Sequence, residues 1–181
     1  WEAESLYLCL DTSLFWEEYC LIRLAVVYRG RSIPLAWRVL EHASASVSAD
    51  TYQALLMQSA QYLPSGVAVI LLADRGFVHT RAMQTMRQLG WHYRIRLKSD
   101  TWLWRPGSGW CQPTSFHLAR GKALCFHNVR LHLQEKYGPV HVILGRNNIN
   151  GEFWAVVSDQ PTCPKTFAEY GLRFSIEMCH P

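Results

Sequence analysis

Three acidic residues occupy positions that suit metal-dependent chemistry. Asp11 follows the apolar run 5–10, and Asp74 follows the unbroken apolar run 67–73. The second run indicates a strand buried on both faces of a sheet, and open α/β sheets bind their ligands at the carboxyl ends of such strands. Each of these two acids alone has an ordinary alternative as a helix cap or a turn residue. Together with Glu177 they would supply hard oxygen ligands for Mg²⁺ or Mn²⁺.

Glu177 belongs to a predicted helix over 166–178. At about 100° per residue, Tyr170, Arg173 and Glu177 project from one stripe of this helix. The small or apolar residues of the opposite side are predicted to pack against a sheet: Ala168, Leu172, Ser175 and Cys179. The alternative is an ordinary ion pair between Arg173 and Glu177 on a solvated helix, worth a few tenths of a kcal/mol.

The acidic residues must be positioned by a mixed sheet with flanking helices. A tight turn at Arg29, Gly30 and Arg31 joins two strand patterns into a hairpin, which makes the sheet mixed. Hydrophobic periodicity and breakers predict strands over 5–10, 20–28, 32–40, 67–73, 91–98 and 153–157, and helices over 50–62 (capped by Asp50), 79–89 and 166–178. Residues 100–150 break this rhythm, with aromatics, Gly and Pro around β-like segments at 128–136 and 139–145.

Basic residues are concentrated in the middle of the chain. Residues 75–130 contain ten arginines and lysines against the single acid Asp100. Such a segment is either a phosphate-backbone footprint or a solvated surface balanced by acids elsewhere. Within it, the strand pattern alternates a packing face with a predicted basic face made of His92, Arg94, Arg96 and Lys98.

Length and composition favour a single globular domain. Of 181 residues, 49% are hydrophobic and 18% charged, which is ordinary for a domain with a full core. No signal peptide and no run of about 20 apolar residues is visible, and the six scattered cysteines are expected to be reduced thiols. We expect the chain to be a fragment that lacks flanking regions.

The order of these elements and acids resembles the ribonuclease-H-like catalytic domain of bacterial insertion-sequence transposases of the DDE class. Their third acid lies in a Tyr-x2-Arg-x3-Glu-x6-Lys signature, whose first three members are matched by Tyr170, Arg173 and Glu177. The Lys position would fall beyond Pro181. The resemblance implies an α/β fold with a mixed five-stranded sheet and flanking helices. It divides the chain into a first core part (1–98), a β-rich insertion (99–150) and a return to the core with the catalytic helix (151–181).

The resemblance also implies a function and its residues. Asp11, Asp74 and Glu177 would hold two Mg²⁺ or Mn²⁺ ions, with Asp11 bridging both. The enzyme would cleave double-stranded DNA at the ends of a mobile element and join the ends to target DNA. It would work as a homodimer on the bacterial nucleoid in the cytoplasm, without a membrane. Expected DNA contacts are Tyr170, Arg173, Arg75, Arg94, Arg96, Lys98 and Trp154; Trp102 and Trp104 are further candidates for base stacking.

Two other functions remain open at this stage. One is a decayed or repurposed copy that binds DNA through the basic segment without catalysis. The other is a nuclease of the same fold that cuts DNA without joining it. Metal titration separates the first from a transposase, and a strand-transfer assay separates the second.

Overall fold

The computed structural model describes residues 5–45 and 47–174, which form a mixed α/β fold with far more strand than helix. Within these residues the strands are β1 (Ser5–Phe15), β2 (Tyr19–Tyr28), β3 (Arg31–Glu41), β4 (Ala68–Ala73), β5 (His92–Arg96), β6 (Leu103–Arg105), β7 (Gly109–Cys111), β8 (Ala123–Leu131), β9 (Tyr137–Arg146) and β10 (Phe153–Ser158). The α-helices are α1 (Ala49–Ala60), α2 (Thr80–Gln88) and α3 (Lys165–Gly171). No helix in this part of the chain is long and apolar enough to cross a membrane.

The described chain forms two compact units, one of residues 5–93 and 171–174 and one of residues 94–170. The three-part division expected from the sequence remains a prediction. In the first unit the strand order is β3-β2-β1-β4, with antiparallel pairs β3-β2 and β2-β1 and a parallel pair β1-β4. The expected mixed sheet is therefore present.

The hairpin predicted between the second and third strands is confirmed. Its two loop residues, Arg29 and Gly30, both have positive φ angles, of 50° and 72°. Two consecutive positive φ values are typical of a type I′ turn, whose twist matches that of the flanking antiparallel strands. The turn fixes how β2 and β3 pair.

Two predicted boundaries in the first unit are wrong. The first strand does not stop before Asp11, because β1 continues to Phe15 by pairing with β2. Asp50 is not the cap of α1 either: the N-cap is Ser48, and Asp50 lies in the first turn, where its carboxylate pairs with Arg81 at 2.6 Å. The buried residues of α1 and α2, including Tyr52, Leu55, Leu56, Met83 and Met86, contribute to the core of this unit.

In the second unit, the strand order is β10-β9-β8-β6-β7, and the end of β5 pairs with β10. The antiparallel pairs β10-β9 and β9-β8 account for most of this sheet. The strands of residues 100–150 are consequently β6 to β9, and β8 begins at Ala123, five residues before the segment expected from the sequence. The shift places Ala123–Phe126 in register with residues 142–145 of β9.

Two histidines on neighbouring strands of this unit predict a pH-dependent stability. The Nδ1 atoms of His127 and His141 lie 3.0 Å apart. Burial, and then the neighbouring His127, lower the pKa of His141 below its usual 6.5, although Asp159 opposes the shift. A lowered pKa means that the unfolded chain binds a proton more readily, so the stabilisation is complete above pH 6.5 and is lost as the pH falls below that value.

We therefore expect the free energy of unfolding, measured by urea titration, to fall between about pH 7 and about pH 5. His141→Asn removes the titrating group and should make this pH dependence shallower, whereas His117→Asn, at an exposed histidine of the same unit, should leave it unchanged. An equal slope for wild type and His141→Asn would contradict the prediction.

Candidate active site

The pairing of β1 with β4 brings two of the predicted acids to one edge of the sheet. The last parallel pair is Leu10 with Ala73. Asp11 and Asp74 are the residues that directly follow this pair in the two segments. They therefore lie side by side where the parallel pairing ends. Beyond this point β1 continues along β2, whereas the chain after Ala73 turns away. The edge where the parallel ladder ends is the place where sheets of this type bind ligands.

The turn after β4 fixes the carboxylate of Asp74. Residues Arg75–Phe77 form one turn of 3₁₀-helix, and the Asp74 Oδ1 atom accepts a hydrogen bond of 2.7 Å from the backbone N–H of Arg75. Phe77 is buried and packs against Tyr52 with ring centroids 4.9 Å apart. The apolar anchor and the capping bond together orient Asp74 at the end of its strand.

Arg173 lies beside both acids. Its Nη2 atom is 3.5 Å from Asp74 Oδ2 and 3.8 Å from Asp11 Oδ1, so the two carboxylate oxygens are no more than about 7.3 Å apart. The Arg173 side chain is 7% exposed, against 16% for Asp11 and 36% for Asp74. The structure thus places Asp11, Asp74 and Arg173 in one half-buried cluster within the first unit.

A second arginine, which the sequence analysis did not single out, lies opposite Asp11. Arg23 on β2 is the direct partner of Asp11 in the antiparallel β1-β2 pair, so the two side chains are on the same face of the sheet. A signal for this pairing exists in the sequence. In a hairpin, residues at equal distances from the middle of the loop lie opposite each other. The loop 16–18 is centred on Glu17, and Asp11 and Arg23 are equally far from Glu17 along the chain. The signal was missed because the first strand was expected to end before Asp11.

The residues of this cluster fit a divalent cation. Asp11 and Asp74 offer carboxylate oxygens, the ligands that Mg²⁺ and Mn²⁺ prefer, and one guanidinium nitrogen of Arg173 lies 3.5 and 3.8 Å from them. Their neighbour Cys9 is not a competing soft ligand, because burial raises the pKa of its thiol to about 12 and keeps it protonated. No group of three or more His, Cys, Asp or Glu side chains able to hold a metal occurs among residues 5–45 and 47–174. The third predicted ligand, Glu177, lies outside the described residues.

The predicted helix that carries Tyr170 and Arg173 has a different form. Helix α3 ends at Gly171, a turn at Leu172 and Arg173 follows, and Phe174 is helical again. The remainder of the predicted helix, 175–178, lies outside the described residues. Glycine is a poor helix former because it loses the most backbone entropy, which accounts for the break. The expected packing face was also wrong where it can be compared: Ala168 and Leu172 are exposed, whereas Tyr170 and Arg173 are buried. The other two residues of that face, Ser175 and Cys179, lie outside the described residues.

Tyr170 is a core residue of the second unit. It is fully buried in a cluster with Ile143 and Val156, and its ring lies edge-on to that of Trp154 with centroids 5.5 Å apart. This packing accounts for the position of its ring. The predicted contact of Tyr170 with DNA remains a prediction.

Arg94, on the predicted basic side of the strand at 91–98, is buried. This side chain is 6% exposed, and its guanidinium pairs with Glu169 at 2.9 Å and with Asp159 at 3.9 Å. It also donates hydrogen bonds to the Ser158 hydroxyl and the Gln160 side-chain oxygen. A period of two assigns residues to a face, but it does not say what covers that face.

The other predicted basic contacts are more accessible. Arg75 and Lys98 are exposed. Arg96 is half-buried: it pairs with Glu152 at 2.7 Å and lies over the ring of Trp154, with its Cζ atom 5.5 Å from the centroid. Of the three tryptophan candidates, Trp102 is exposed, and Trp104 and Trp154 are half-buried.

Trp154 lines a cavity of about 470 Å³ in the second unit. The cavity wall combines aromatic, basic and amide side chains, namely Trp154, Phe167, Lys122, Arg146, Asn147 and Asn148. Aromatic faces and cations are the groups that bind unpaired nucleotides. The cavity is large enough for a small planar ligand.

Gly145, which also lines this cavity, allows the close approach of Phe167. A Cβ atom at Gly145 would contact the Phe167 ring, with its Cζ atom at 2.7 Å. We therefore expect Gly145→Ala to lower the free energy of unfolding by about 1–3 kcal/mol through overpacking.

The overpacking explanation has two controls. Gly76→Ala, where an added Cβ would meet nothing within 4 Å, should change stability by no more than about 0.5 kcal/mol. Combining Gly145→Ala with Phe167→Leu should cost less than the sum of the single changes, as measured by urea denaturation. Additive losses would show that the Phe167 ring is not the source of the strain.

The fold and this acidic cluster define a class. The chain is a mixed α/β protein of the ribonuclease-H-like type, with two carboxylates at the edge of the central parallel strand pair. The model of the transposase DDE domain matches residues 17–175, so the chain belongs to that family. Asp11 lies six positions before the matched stretch.

One solved structure, that of a transposase, agrees with this fold. The piggyBac transposase synaptic complex with hairpin DNA superposes with a TM-score of 0.58 at 8% sequence identity, over 97% of this chain and 39% of that one. An Argonaute from Marinitoga piezophila in complex with a 5′-OH guide RNA matches with a TM-score of 0.42 and 11% identity, over 94% of this chain and 25% of that one. No curated protein matches the chain. The chain therefore spans well under half the length of the solved structures to which it is similar.

Proposed function

We propose that this chain is the catalytic domain of a transposase, which cleaves DNA strands at the ends of a mobile element and transfers the new 3′-hydroxyl ends to target DNA. The observation that supports this proposal most strongly is the convergence of Asp11 and Asp74 on one cation, the Arg173 guanidinium, at the edge of the β1-β4 pair. Two carboxylates at one sheet edge are what metal-dependent phosphoryl transfer requires of a protein. Membership of the transposase DDE domain family adds to this.

The proposal assigns three metal ligands. Asp11, Asp74 and Glu177 would hold two Mg²⁺ or Mn²⁺ ions. Such ions, when bound, supply positive charge at the phosphorus centre and lower the pKa of the attacking oxygen. The protein contributes the position of the carboxylates, through the parallel register of β1 and β4 and the capping bond at Asp74.

The basic residues near these acids would bind the phosphate backbone. Arg75 follows Asp74 directly and is exposed, so its guanidinium is available to a strand that enters the site. Arg23 lies opposite Asp11 in the sheet. Arg173 lies beside both acids and completes this group. In the second unit, Arg96 and Lys98 are proposed as further backbone contacts, and Tyr170 stays a prediction from the family signature. Arg94 is removed from this set because its guanidinium is buried in contacts within its own unit.

Trp154 would contribute to DNA binding through the cavity it lines. Its ring, together with Phe167, Lys122 and Arg146, offers stacking surfaces beside positive charge. An unpaired base near a strand end fits this chemistry. The proposed role of Trp154 is tested by measuring the affinity for an element end with an unpaired terminal base, which Trp154→Ala should weaken.

The partner is double-stranded DNA, as element end and as target. The piggyBac transposase structure is a synaptic complex with hairpin DNA, and by analogy we propose that the full-length protein pairs two ends as a homodimer. Its substrate places the enzyme at the nucleoid of a bacterial cytoplasm.

A strand-transfer assay tests the proposed function. The full-length protein is incubated with end-labelled element DNA, a supercoiled target plasmid and Mg²⁺, and the products are separated on denaturing gels. We expect 3′-hydroxyl ends at the element boundary and covalent joint products with the plasmid. Cleavage without joint products would assign the protein to the nucleases, and DNA binding without either product would assign it to non-catalytic copies.

A further inference from the structure

The contact between Arg173 and the two acids has an unusual geometry for an arginine ion pair. One guanidinium nitrogen, Nη2, is shared between Asp74 Oδ2 at 3.5 Å and Asp11 Oδ1 at 3.8 Å. A planar guanidinium that binds a carboxylate at full strength uses two nitrogens at about 2.7–2.9 Å. The longer, shared distances indicate that this nitrogen supplies charge to both acids without clamping either of them.

The Asp11–Asp74 pair needs a positive charge close to its two carboxylates. Asp11 and Asp74 are 16% and 36% exposed, and two carboxylates held this close in a partly buried pocket repel each other unless a cation lies near them. The Arg173 side chain, only 7% exposed, is such a cation. A divalent ion bound by the same two carboxylates would lie within a few ångströms of the guanidinium, and like charges at that separation repel strongly in a partly buried site.

We propose that Arg173 is an internal counter-cation: it holds the Asp11–Asp74 pair together before metal binds, and metal binding displaces its guanidinium from the pocket. This inference rests on the proposed function, which supplies the metal. Once displaced, the guanidinium is free to bind a DNA phosphate, so metal loading and DNA binding become linked through one side chain. The position of Arg173 suits such a change, because it lies in the turn after α3 and not within the helix.

The test is the affinity of the DNA-free, full-length protein for Mn²⁺, measured by isothermal titration calorimetry. Arg173→Gln removes the competing charge and should tighten Mn²⁺ binding about tenfold or more. Arg173→Lys keeps the charge and should bind Mn²⁺ like the wild type. The matched control is Arg81→Gln, which removes another arginine–aspartate pair of the same unit, at an exposed site, and should leave the affinity unchanged.

A second measurement separates the proposed displacement of the Arg173 guanidinium by metal from a merely structural role of Arg173. Without metal, Arg173→Gln should melt at a lower temperature than the wild type, since the two acids lose their counter-charge. Saturating Mn²⁺ should then raise its melting temperature by more than it raises that of the wild type, because the tighter binding stabilises the folded state further. A residue that only supported the fold would lower both melting temperatures equally.

If Arg173→Gln does not fold, the wild type still tests the inference, with Arg173→Lys used only to assign the signal. The side-chain Nε–H signal of Arg173 in ¹⁵N-NMR spectra, assigned by its loss in Arg173→Lys, should shift when Mg²⁺ saturates the site. An unchanged signal would overturn the inference.

The outcomes also distinguish this inference from the proposed function. Equal or weaker Mn²⁺ binding by Arg173→Gln, in a protein whose wild type binds Mn²⁺ and cleaves DNA, would overturn the counter-cation role and leave the transposase assignment intact. Absence of Mn²⁺ binding in both the wild type and Arg173→Gln would overturn both.

Discussion

Asp74→Asn is expected to reduce metal-dependent DNA strand cleavage by the full-length protein about a thousandfold or more. The carboxylate is one of two that converge at the end of the parallel strand pair, and asparagine removes its charge while keeping an oxygen that can accept the hydrogen bond from the Arg75 backbone. Charge stabilisation by a bound metal is worth several kcal/mol in the transition state, and each 1.36 kcal/mol corresponds to a tenfold change in rate. The same loss is expected for Asp11→Asn.

The measurement is the single-turnover rate of strand cleavage on a labelled element end in Mg²⁺. Asp100→Asn is the matched control, because Asp100 is an exposed acid outside the cluster and its loss should leave the rate unchanged. Thermal denaturation verifies that both variants are folded. A folded Asp74→Asn protein that cleaves at a rate close to that of the wild type would contradict the proposed catalytic role.

Arg94→Leu is expected to lower the free energy of unfolding by about 3–5 kcal/mol. The Arg94 side chain is 6% exposed, and its guanidinium neutralises Glu169 and Asp159, whose side chains are 15% and 13% exposed. Removing one partner of a buried ion pair leaves the other charge uncompensated, which costs far more than the pair itself contributes. The Ser158 hydroxyl and the Gln160 side chain lose a hydrogen-bond donor as well.

The control for this prediction is Arg96→Leu, two residues further along the same strand. Its guanidinium pairs with Glu152, whose side chain is 42% exposed, so the loss should be no more than about 1 kcal/mol. Urea denaturation measures the stability loss of both variants, and the free energies are compared with the same m-value for each. If Arg94 were instead a DNA-backbone contact, Arg94→Leu would weaken DNA binding at unchanged stability, and that result would contradict the structural role assigned here.

Much of the fold could be predicted because local patterns determine it. The apolar run at 67–73, the hairpin turn at Arg29 and Gly30, and the helix that begins near Asp50 all appear close to their expected places. Each of these signals depends on neighbouring residues only: a buried run, a turn with positive φ angles, or a breaker. Strand ends were less accurate, because β1 continues past its apolar run by pairing with β2 across the loop 16–18, and the polar residues in that part of the strand do not indicate a strand by themselves.

The site was predictable in its residue types and less so in its contacts. Asp11 and Asp74 could be proposed from the ends of two apolar runs, and the parallel register then brings them together. The burial of Arg94 could not be predicted from the sequence, because it depends on Glu169 and Asp159, which are more than sixty residues away in the chain. The inward orientation of Arg173 was likewise hidden, since Gly171 ends the helix from which its direction was inferred.

The position of a bound metal ion tests most directly whether Asp11 and Asp74 form a metal site. Crystals of the protein soaked in Mn²⁺ are measured at a wavelength where manganese scatters anomalously. We predict an anomalous peak within coordination distance of carboxylate oxygens of both Asp11 and Asp74, with the Arg173 guanidinium moved away from them. No peak at these carboxylates at saturating Mn²⁺, or a peak bound only elsewhere in the molecule, would contradict it.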